Sequence, residues 1–263
     1  MQLRDKVVWI TGASSGIGEA LAKVFSAQGA VLVLSARRQP ELERVRAGLS
    51  APERHMILPL DLTESDRFPA AVEAVLAQCG RLDMLVNNGG ISQRSRIFET
   101  DLAVDRRVME VNYFGAIGLT KAALPALRAA GDARVVVISS LVGELATPMR
   151  SAYSASKHAL HGWFEALRAE EYDNGLRVLM VMPGFVQTNV SINAITADGS
   201  DHGVMDDHQA AGLEVGACAT RILRAVQRDR EQVIIGGRET VGIWIKRLCP
   251  PLYRKIIRRI KVT

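Results

Sequence analysis

Tyr153 and Lys157 stand four residues apart in Tyr153-Ser154-Ala155-Ser156-Lys157, and Ser140 lies thirteen residues before the tyrosine. Residues four apart on a helix share a face, so this spacing brings an ammonium beside a phenol. A free phenol, with a pKa of roughly 10, is a poor acid–base catalyst near neutrality. A fixed cation beside it favours phenolate and draws the pKa toward the working range. Such a tyrosine can pass a proton to or from an alcohol or carbonyl oxygen.

A second constellation suggests what travels with that proton. Val7-Val8-Trp9-Ile10 is a short apolar run that reads as a buried parallel strand. It leads into Thr11-Gly12-Ala13-Ser14-Ser15-Gly16-Ile17-Gly18, and Glu19 to Gln28 then has helical composition, with Ile17, Leu21, Val24 and Phe25 on one face. Glycine lets a backbone approach a diphosphate, and a helix N-terminus offers free N–H groups and a positive dipole end. The spacing is Gly-x3-Gly-x-Gly rather than Gly-x-Gly-x2-Gly. A glycine cluster by itself could be a simple tight turn; its place between strand and helix points to a phosphate cradle.

The elements that must carry these residues alternate along the chain. Strands are predicted at Val7–Thr11, Val31–Ser35, Met56–Leu60, Met84–Asn87, Val135–Ser139, Val178–Met182 and Val233–Ile235. Helices are predicted at Pro40–Leu49, Glu64–Gln78, Val104–Ala129, Ala152–Tyr172 and Leu213–Arg228. This alternation predicts an α/β fold, a doubly wound parallel sheet with helices on both faces. There is no internal repeat or flexible linker, so residues 1–240 read as one domain. Within it, polar and aperiodic residues 191–209 read as a loop or substrate lid.

Composition narrows the class. The 263 residues are 48% apolar and 23% charged, ordinary for a globular chain with a sizeable core. No run of apolar residues is long enough to span a bilayer. The first strand begins by about Lys6, which leaves no room for a signal peptide. Cys79, Cys218 and Cys249 are isolated, with neither disulfide nor zinc spacing, and read as reduced thiols of a cytoplasmic protein. The net charge of +5 is concentrated at one end: from Arg221 onward there are 12 Lys/Arg against 3 Asp/Glu, leaving −4 on the preceding 220 residues. No nucleic-acid motif accompanies it, so nucleic acid is not expected as a partner.

Seven motifs in order resemble those of the short-chain dehydrogenases/reductases, over residues 6 to about 235. They are Thr11-Gly12-x3-Gly16-x-Gly18, Asp61-Leu62, Asn87-Asn88-Gly89-Gly90, Asn112, Ser140, Tyr153-x3-Lys157 and Pro183-Gly184-x3-Thr188. The resemblance implies a Rossmann-type sheet of about seven strands with a dinucleotide at the switch point. It implies that Tyr153 is the general acid in reduction and general base in oxidation. Lys157 would lower its pKa and hold the nicotinamide ribose, Ser140 would bind the substrate oxygen, and Asn112 would hold a water linking Lys157 to solvent. Gly12, Ser14, Ser15, Gly16, Ile17 and Gly18 would line the diphosphate, Asp61 and Leu62 the adenine, and Asn88 and Gly90 the adenosine ribose region. Pro183, Gly184, Val186 and Thr188 would meet the nicotinamide end. Where the family usually has Asn-Asn-Ala-Gly, Gly89 replaces alanine, which is expected to loosen that strand end slightly.

The second predicted strand ends Leu34-Ser35-Ala36-Arg37-Arg38. NAD-preferring sites carry an acidic residue there to bind the ribose hydroxyls; here two guanidinium groups stand instead. Arginine pairs bidentately with phosphate, so NADP(H) is the expected cofactor, with Arg37 the chief contact and Arg38 and Ser35 helping. The alternative is a solvated arginine cluster at a helix entry.

Other residues read more plainly. His158 and His161 are taken as ordinary helical residues, and His202 and His208 have no metal-site spacing, so no metal is expected. Asp101 and Asp105 are read as capping or solvated. In the tail, residues 241–263, Leu252, Ile256, Ile257 and Ile260 form one helical stripe, and from Lys246 onward there are seven basic residues and no acidic one. A peripheral contact of 246–263 with an anionic membrane surface, packing against a second subunit, and folding back on the domain all fit this pattern. The expected function is NADP(H)-dependent interconversion of a carbonyl and an alcohol on a lipophilic small molecule. Segments around Tyr153 and Phe164, with Pro250-Pro251-Leu252 before the basic tail, resemble the steroid- and retinoid-type branch of the family. The alternatives are a cofactor-binding regulator without turnover and a membrane-peripheral interaction module. The family resemblance further implies a homodimer or homotetramer, and the expected location is the cytoplasm or the inner membrane surface.

Overall fold

The computed structural model describes residues 1–260, so Lys261 of the basic tail lies outside the described residues. Seven parallel strands form one sheet in the order β3-β2-β1-β4-β5-β6-β7. In chain order they are β1 (Val7–Thr11), β2 (Val31–Ser35), β3 (Met56–Ile57), β4 (Met84–Asn87), β5 (Ala133–Ile138), β6 (Leu176–Pro183) and β7 (Gln232–Ile235). The order reverses between β1 and β4, which opens a crevice at the carboxyl ends of these strands.

Side chains of a strand alternate between faces, and each face here has its own core. Trp9, Val135, Val137, Met180 and Met182 point to one side. There they meet α3 (Phe68–Cys79), α5 (Gly115–Ala129) and α6 (Ser151–Glu170) through Val75, Leu119 and Phe164. Val8, Ile10, Val136, Leu179 and Val181 point to the other, against α1 (Gly16–Ala27), α2 (Gln39–Ala47) and α8 (Val215–Gln227). Strands buried on both faces must be apolar throughout, which is why they read as unbroken runs.

Element ends differ from expectation where proline or a special turn intervenes. β3 ends at Ile57, not Leu60, although the Leu58 and Leu60 N–H groups go on donating to the Leu34 and Ala36 carbonyls at 3.0 and 3.1 Å; Pro59 between them lacks only the N–H that would face away from β2. α3 begins at Phe68, not Glu64; Pro69 suits a first helical turn, and Ser65–Arg67 form a separate 3₁₀ turn. The helix expected at Val104–Ala129 is α4 (Leu102–Met109), a π-helical turn at Glu110–Phe114, then α5. Asp101 occupies the N-cap of α4 but its side chain makes no capping bond. The 191–209 segment is docked rather than loose. Its Ile195 exchanges backbone bonds with Ser92 and Arg94, and it ends in the short α7 (Asp207–Ala210). The tail forms α9 (Val241–Leu248) and α10 (Pro250–Ile257).

Candidate active site

The turn after β1 needs its glycines for space. Gly12 has φ of +63°, and a Cβ there would stand 2.8 Å from the Gly89 Cα. A Cβ on Gly18 would lie 2.2 Å from the Gly12 carbonyl oxygen. The Asn88 amide ties this turn down, donating to the Thr11 and Gly12 carbonyls at 2.9 and 3.1 Å. The Thr11 hydroxyl accepts from the N–H groups of Asn88 and Gly89 at 3.0 Å each. Ser14, Ser15, Gly16 and Ile17 remain accessible, and the first-turn N–H groups of α1 have no partner within the helix. A cradle that a Cβ would fill, facing a helix N-terminus, fits a dinucleotide diphosphate. The missing methyl of Gly89 does not loosen the strand end: a Cβ there would stand 2.7 Å from Leu62 Cδ1, so Leu62 already fills the space.

Ser140, Tyr153, Lys157 and the cradle line one cavity of about 660 Å³ at the crevice. β5 delivers Ser140, whose hydroxyl accepts from the Val142 N–H at 3.3 Å and starts a short 3₁₀ turn. α6 delivers Tyr153 and Lys157. The Lys157 ammonium is buried, donates to the Ile138 carbonyl at 2.8 Å and lies 5.6 Å from the Tyr153 ring centroid. Burial pushes its pKa down to about 8. Burial also pushes the Tyr153 phenol up, against a downward pull from Arg150, the Ser140 hydroxyl and Arg94. The two arginines that pull it down, Arg150 and Arg94, were not singled out by the sequence.

Asn112 sits in the π-helical turn, which aims its amide at the loop after β4. Its Nδ2 donates to the Ile91 carbonyl at 2.9 Å and the Ser156 hydroxyl at 3.0 Å, and its Oδ1 accepts from the Ile91 N–H at 2.8 Å. Gly90 lies against it, where a Cβ would be 3.0 Å from Asn112 Oδ1 and 3.8 Å from Lys157 Nζ. The amide clamps the loop after β4 to α6.

At the far end of the crevice, Asp61 accepts from the N–H and hydroxyl of Thr63 at 2.9 and 2.8 Å. Burial would raise its pKa, but these bonds, with Arg37 and Arg107 nearby, hold it below the usual carboxylate range. Arg37 and Arg38 are exposed just past β2. Ser35 is not a third contact: it is buried, and its hydroxyl accepts from the Trp9 indole N–H at 2.8 Å. At the opposite end, Pro183 closes β6 and the Gly184 N–H donates to the Ile235 carbonyl at 2.7 Å. Val186 and Thr188 follow, held by Gln209, whose amide donates to the Val186 carbonyl and, at 3.2 Å, to the Thr188 hydroxyl.

Several participants escaped sequence reasoning. Glu239 accepts from the Phe185 N–H at 3.3 Å and the Gly237 N–H at 3.0 Å, pinning the loop after β6. His161 is no ordinary helical residue. It is buried, its Nε2 2.8 Å from the Ser139 hydroxyl and its Nδ1 3.3 Å from Glu144 Oε1, bracing the end of β5 beneath Ser140. His158 is local, bonding the Ser154 carbonyl at 2.8 Å. Arg94 and Arg150 line the cavity and both pair with the buried Asp206. Only Arg150, directly before the tyrosine-bearing segment, carried a positional hint; nothing in spacing joins Asp206 to it. Among the described residues, no three His, Cys, Asp or Glu side chains are grouped to hold a metal ion.

The tail folds back on the mouth of the cavity. The Tyr253 hydroxyl donates to the Ala146 carbonyl at 3.1 Å, the Lys246 ammonium donates to the Glu144 carbonyl, and Ile245, Tyr253 and Ile256 line the opening. Trp244, Leu248 and Leu252 stay exposed on the outer side. No described helix is long and apolar enough to cross a membrane.

Comparison with known proteins agrees with this geometry. A family model described as short chain dehydrogenase matches residues 6–198. The chain is 44% identical over 264 residues to the Dehydrogenase/reductase SDR family protein 7-like of Anopheles gambiae, covering 98% of this chain and 83% of that protein. Among solved structures, a short-chain dehydrogenase from Streptomyces avermitilis superposes with a TM-score of 0.81 at 31% identity, over 96% of this chain and 98% of that one. An alcohol dehydrogenase from Thermococcus sibiricus, complexed with 5-hydroxy-NADP, superposes with a TM-score of 0.76 at 25% identity, over 89% and 97% of the two chains.

Proposed function

The chain belongs to the short-chain dehydrogenases, oxidoreductases by family, and on that premise we propose that it interconverts a carbonyl and an alcohol on a lipophilic small molecule with NADP(H). One observation carries the reading: Ser140, Tyr153 and Lys157 open onto the same cavity as the Gly12–Gly18 cradle. The cradle and Arg37 would hold the dinucleotide, which when bound supplies or accepts hydride. Tyr153 gives its proton to the carbonyl oxygen in reduction and takes it back in oxidation. Ser140 donates a hydrogen bond to that oxygen as it gains charge. Lys157, fixed at the Ile138 carbonyl, would hold the nicotinamide ribose. Asn112 keeps the facing loop at the distance this requires.

NADP(H) over NAD(H) is supported by two accessible arginines, Arg37 and Arg38, where β2 ends without a carboxylate. A lipophilic substrate is supported by the apolar walls Leu141, Val142, Leu145, Val190 and Ile257. A cofactor-sensing regulator would need the cradle alone, and the assembled proton-handling set favours turnover. We further propose a cytoplasmic enzyme, a homodimer or homotetramer through α5 and α6, whose tail rests on an anionic membrane surface. Residues 191–209 serve as the substrate lid.

The test is NADPH oxidation followed by absorbance against a panel of carbonyls of increasing chain length. Tyr153→Phe is expected to lower turnover by roughly 10²–10⁴-fold while NADPH affinity is retained. Failure to turn over any carbonyl, or full activity in the variant, overturns the reading.

A further inference from the structure

The cavity wall beside Tyr153 holds two buried arginines, both paired to one buried carboxylate. The side chains of Arg94, on the loop after β4, and Arg150, at the N-cap of α6, are 2% and 8% exposed, and that of Asp206, just before α7, is 1% exposed. A single oxygen, Asp206 Oδ2, accepts from Arg94 Nε at 3.0 Å, Arg94 Nη2 at 2.6 Å and Arg150 Nη2 at 3.0 Å. The group therefore keeps one surplus positive charge away from bulk water, where charges act on one another more strongly. All three nitrogens of Arg94 are engaged, Nη1 donating also to the Ser92 hydroxyl at 2.7 Å and the Gln93 carbonyl at 2.8 Å. Arg150 is not: among the described residues its one hydrogen-bond acceptor is Asp206, and its Nε is buried without a partner.

Pinning a loop does not call for this arrangement, since a one-to-one ion pair would fasten it with less uncompensated charge. The backbone is also held awkwardly to achieve it. Met149, immediately before Arg150, is a non-glycine residue with φ of +65°. Arg150 lies three residues before Tyr153, on the adjoining turn of the same helix. The other charged or titratable groups around the phenol are Lys157 on α6, His208 on the lid, and Arg238 and Glu239 on the cavity's opposite wall. On its remaining side α4 and the 191–209 segment present Val104, Val108 and Ile195, and α4 also carries Asp105, Arg106 and Arg107.

We propose that Arg94, Asp206 and Arg150 form a positioning set for Tyr153, in which the surplus guanidinium charge supports the phenolate and the lid's carboxylate sets its strength. Arg150 and Arg94 are the charges that draw the phenol downward against burial. Because Asp206 rides on the 191–209 segment, lid docking and tyrosine ionisation are linked. The inference rests on the proposed function for its meaning, since it makes Tyr153 the proton-handling group, but its test needs no substrate.

Tyrosinate absorbs near 295 nm, and the chain has four tyrosines, so subtracting the titration of Tyr153→Phe isolates residue 153. In Arg150→Gln the midpoint is expected to rise by about one pH unit, as removal of a neighbouring cation requires. In Arg150→Lys, which keeps the charge, it is expected to stay near that of the unaltered protein. In Asp206→Asn, which leaves two guanidiniums unopposed, it is expected to fall. Opposite shifts for removal of a cation and of an anion are something a purely structural role would not produce. Should Asp206→Asn fail to fold, judged by circular dichroism and NADPH fluorescence, Arg94→Gln replaces it and is expected to raise the midpoint. An unchanged midpoint on removing either arginine, or shifts of one sign in Arg150→Gln and Asp206→Asn, overturns the proposal. Absence of carbonyl turnover with these shifts intact would tell against the proposed function instead.

Discussion

Lys157 shows what a buried cation costs a fold. Its folded pKa of about 8 lies below the roughly 10.4 of a free lysine. Between those values the unfolded chain holds the extra proton, so stability rises with pH across that window; below about 8 both states are protonated and the burial cost is felt in full. Lys157→Met is therefore expected to be more stable than the unaltered protein at pH 7, by at most about 3 kcal/mol. The gap should close toward pH 10.5, as denaturant melts at the two pH values would show. Its activity is expected to collapse, the usual exchange between a strained site and stability. At the other end of the crevice, Arg37→Asp is expected to weaken NADPH binding by about 10–100-fold, the worth of a charge-assisted bond. The variant should accept NADH comparatively better. Equal preference before and after, measured by fluorescence titration of both cofactors, would mean that Arg37 is only a solvated surface residue.

Single elements act here by where they bend. The π-helical turn between α4 and α5 inserts the extra residue that points Asn112 across to Ile91 and Ser156. Asn112→Ala would strand both backbone groups of Ile91, at about 2 kcal/mol. The expected result is a melting temperature lower by several degrees, with turnover reduced because the loop facing Lys157 is no longer fixed. Thermal melts read the first effect and NADPH oxidation the second. Asn112 stood out in the sequence by family resemblance, yet the bulge that gives it reach did not. Hydrophobic periodicity runs almost unbroken through residues 104–129, and one added residue in a helical turn hardly disturbs it. One element end set by proline was legible in principle: Pro69 sits in the first turn of α3, where observed and expected boundaries part.

At the scale of the molecule, the tail joins two properties that composition presented separately. Its inner side closes the mouth of the cavity through Lys246, Tyr253 and Ile256, while Trp244, Leu248 and Leu252 face outward among Arg247, Arg254, Lys255, Arg258 and Arg259. Intrachain folding and an outward amphipathic surface thus coexist. The protein is expected to float with vesicles rich in phosphatidylglycerol, and not with neutral vesicles. Replacing Arg254, Lys255, Arg258 and Arg259 by glutamine should remove about 1 kcal/mol each, enough to abolish flotation at physiological salt. Truncation after Cys249 should do the same. Flotation that ignores these changes, or is absent from the start, would point to a second copy of the chain as the occupant of that face, which sedimentation would reveal.

What the sequence determined by itself was whatever depends on neighbours along the chain. The strands announced themselves because burial on both faces forces continuous apolar runs. The cradle did so because a Cβ at Gly12 or Gly18 would fall within 3 Å of neighbouring backbone atoms, so only glycine fits. The Tyr153–Lys157 pair did so because four residues make one helical turn. Tertiary structure alone decided which charges reach the phenol. Arg94 is 59 residues before Tyr153 and Asp206 is 53 after it, and only the docking of the lid on the loop after β4 makes them neighbours. It also decided that Leu62 fills the space left by Gly89, that His161 braces Ser139, and that a basic tail guards the cavity it was read apart from. Local order follows from bond geometry and can be read residue by residue, whereas the electrostatics of a buried group depends on everything that the fold packs around it.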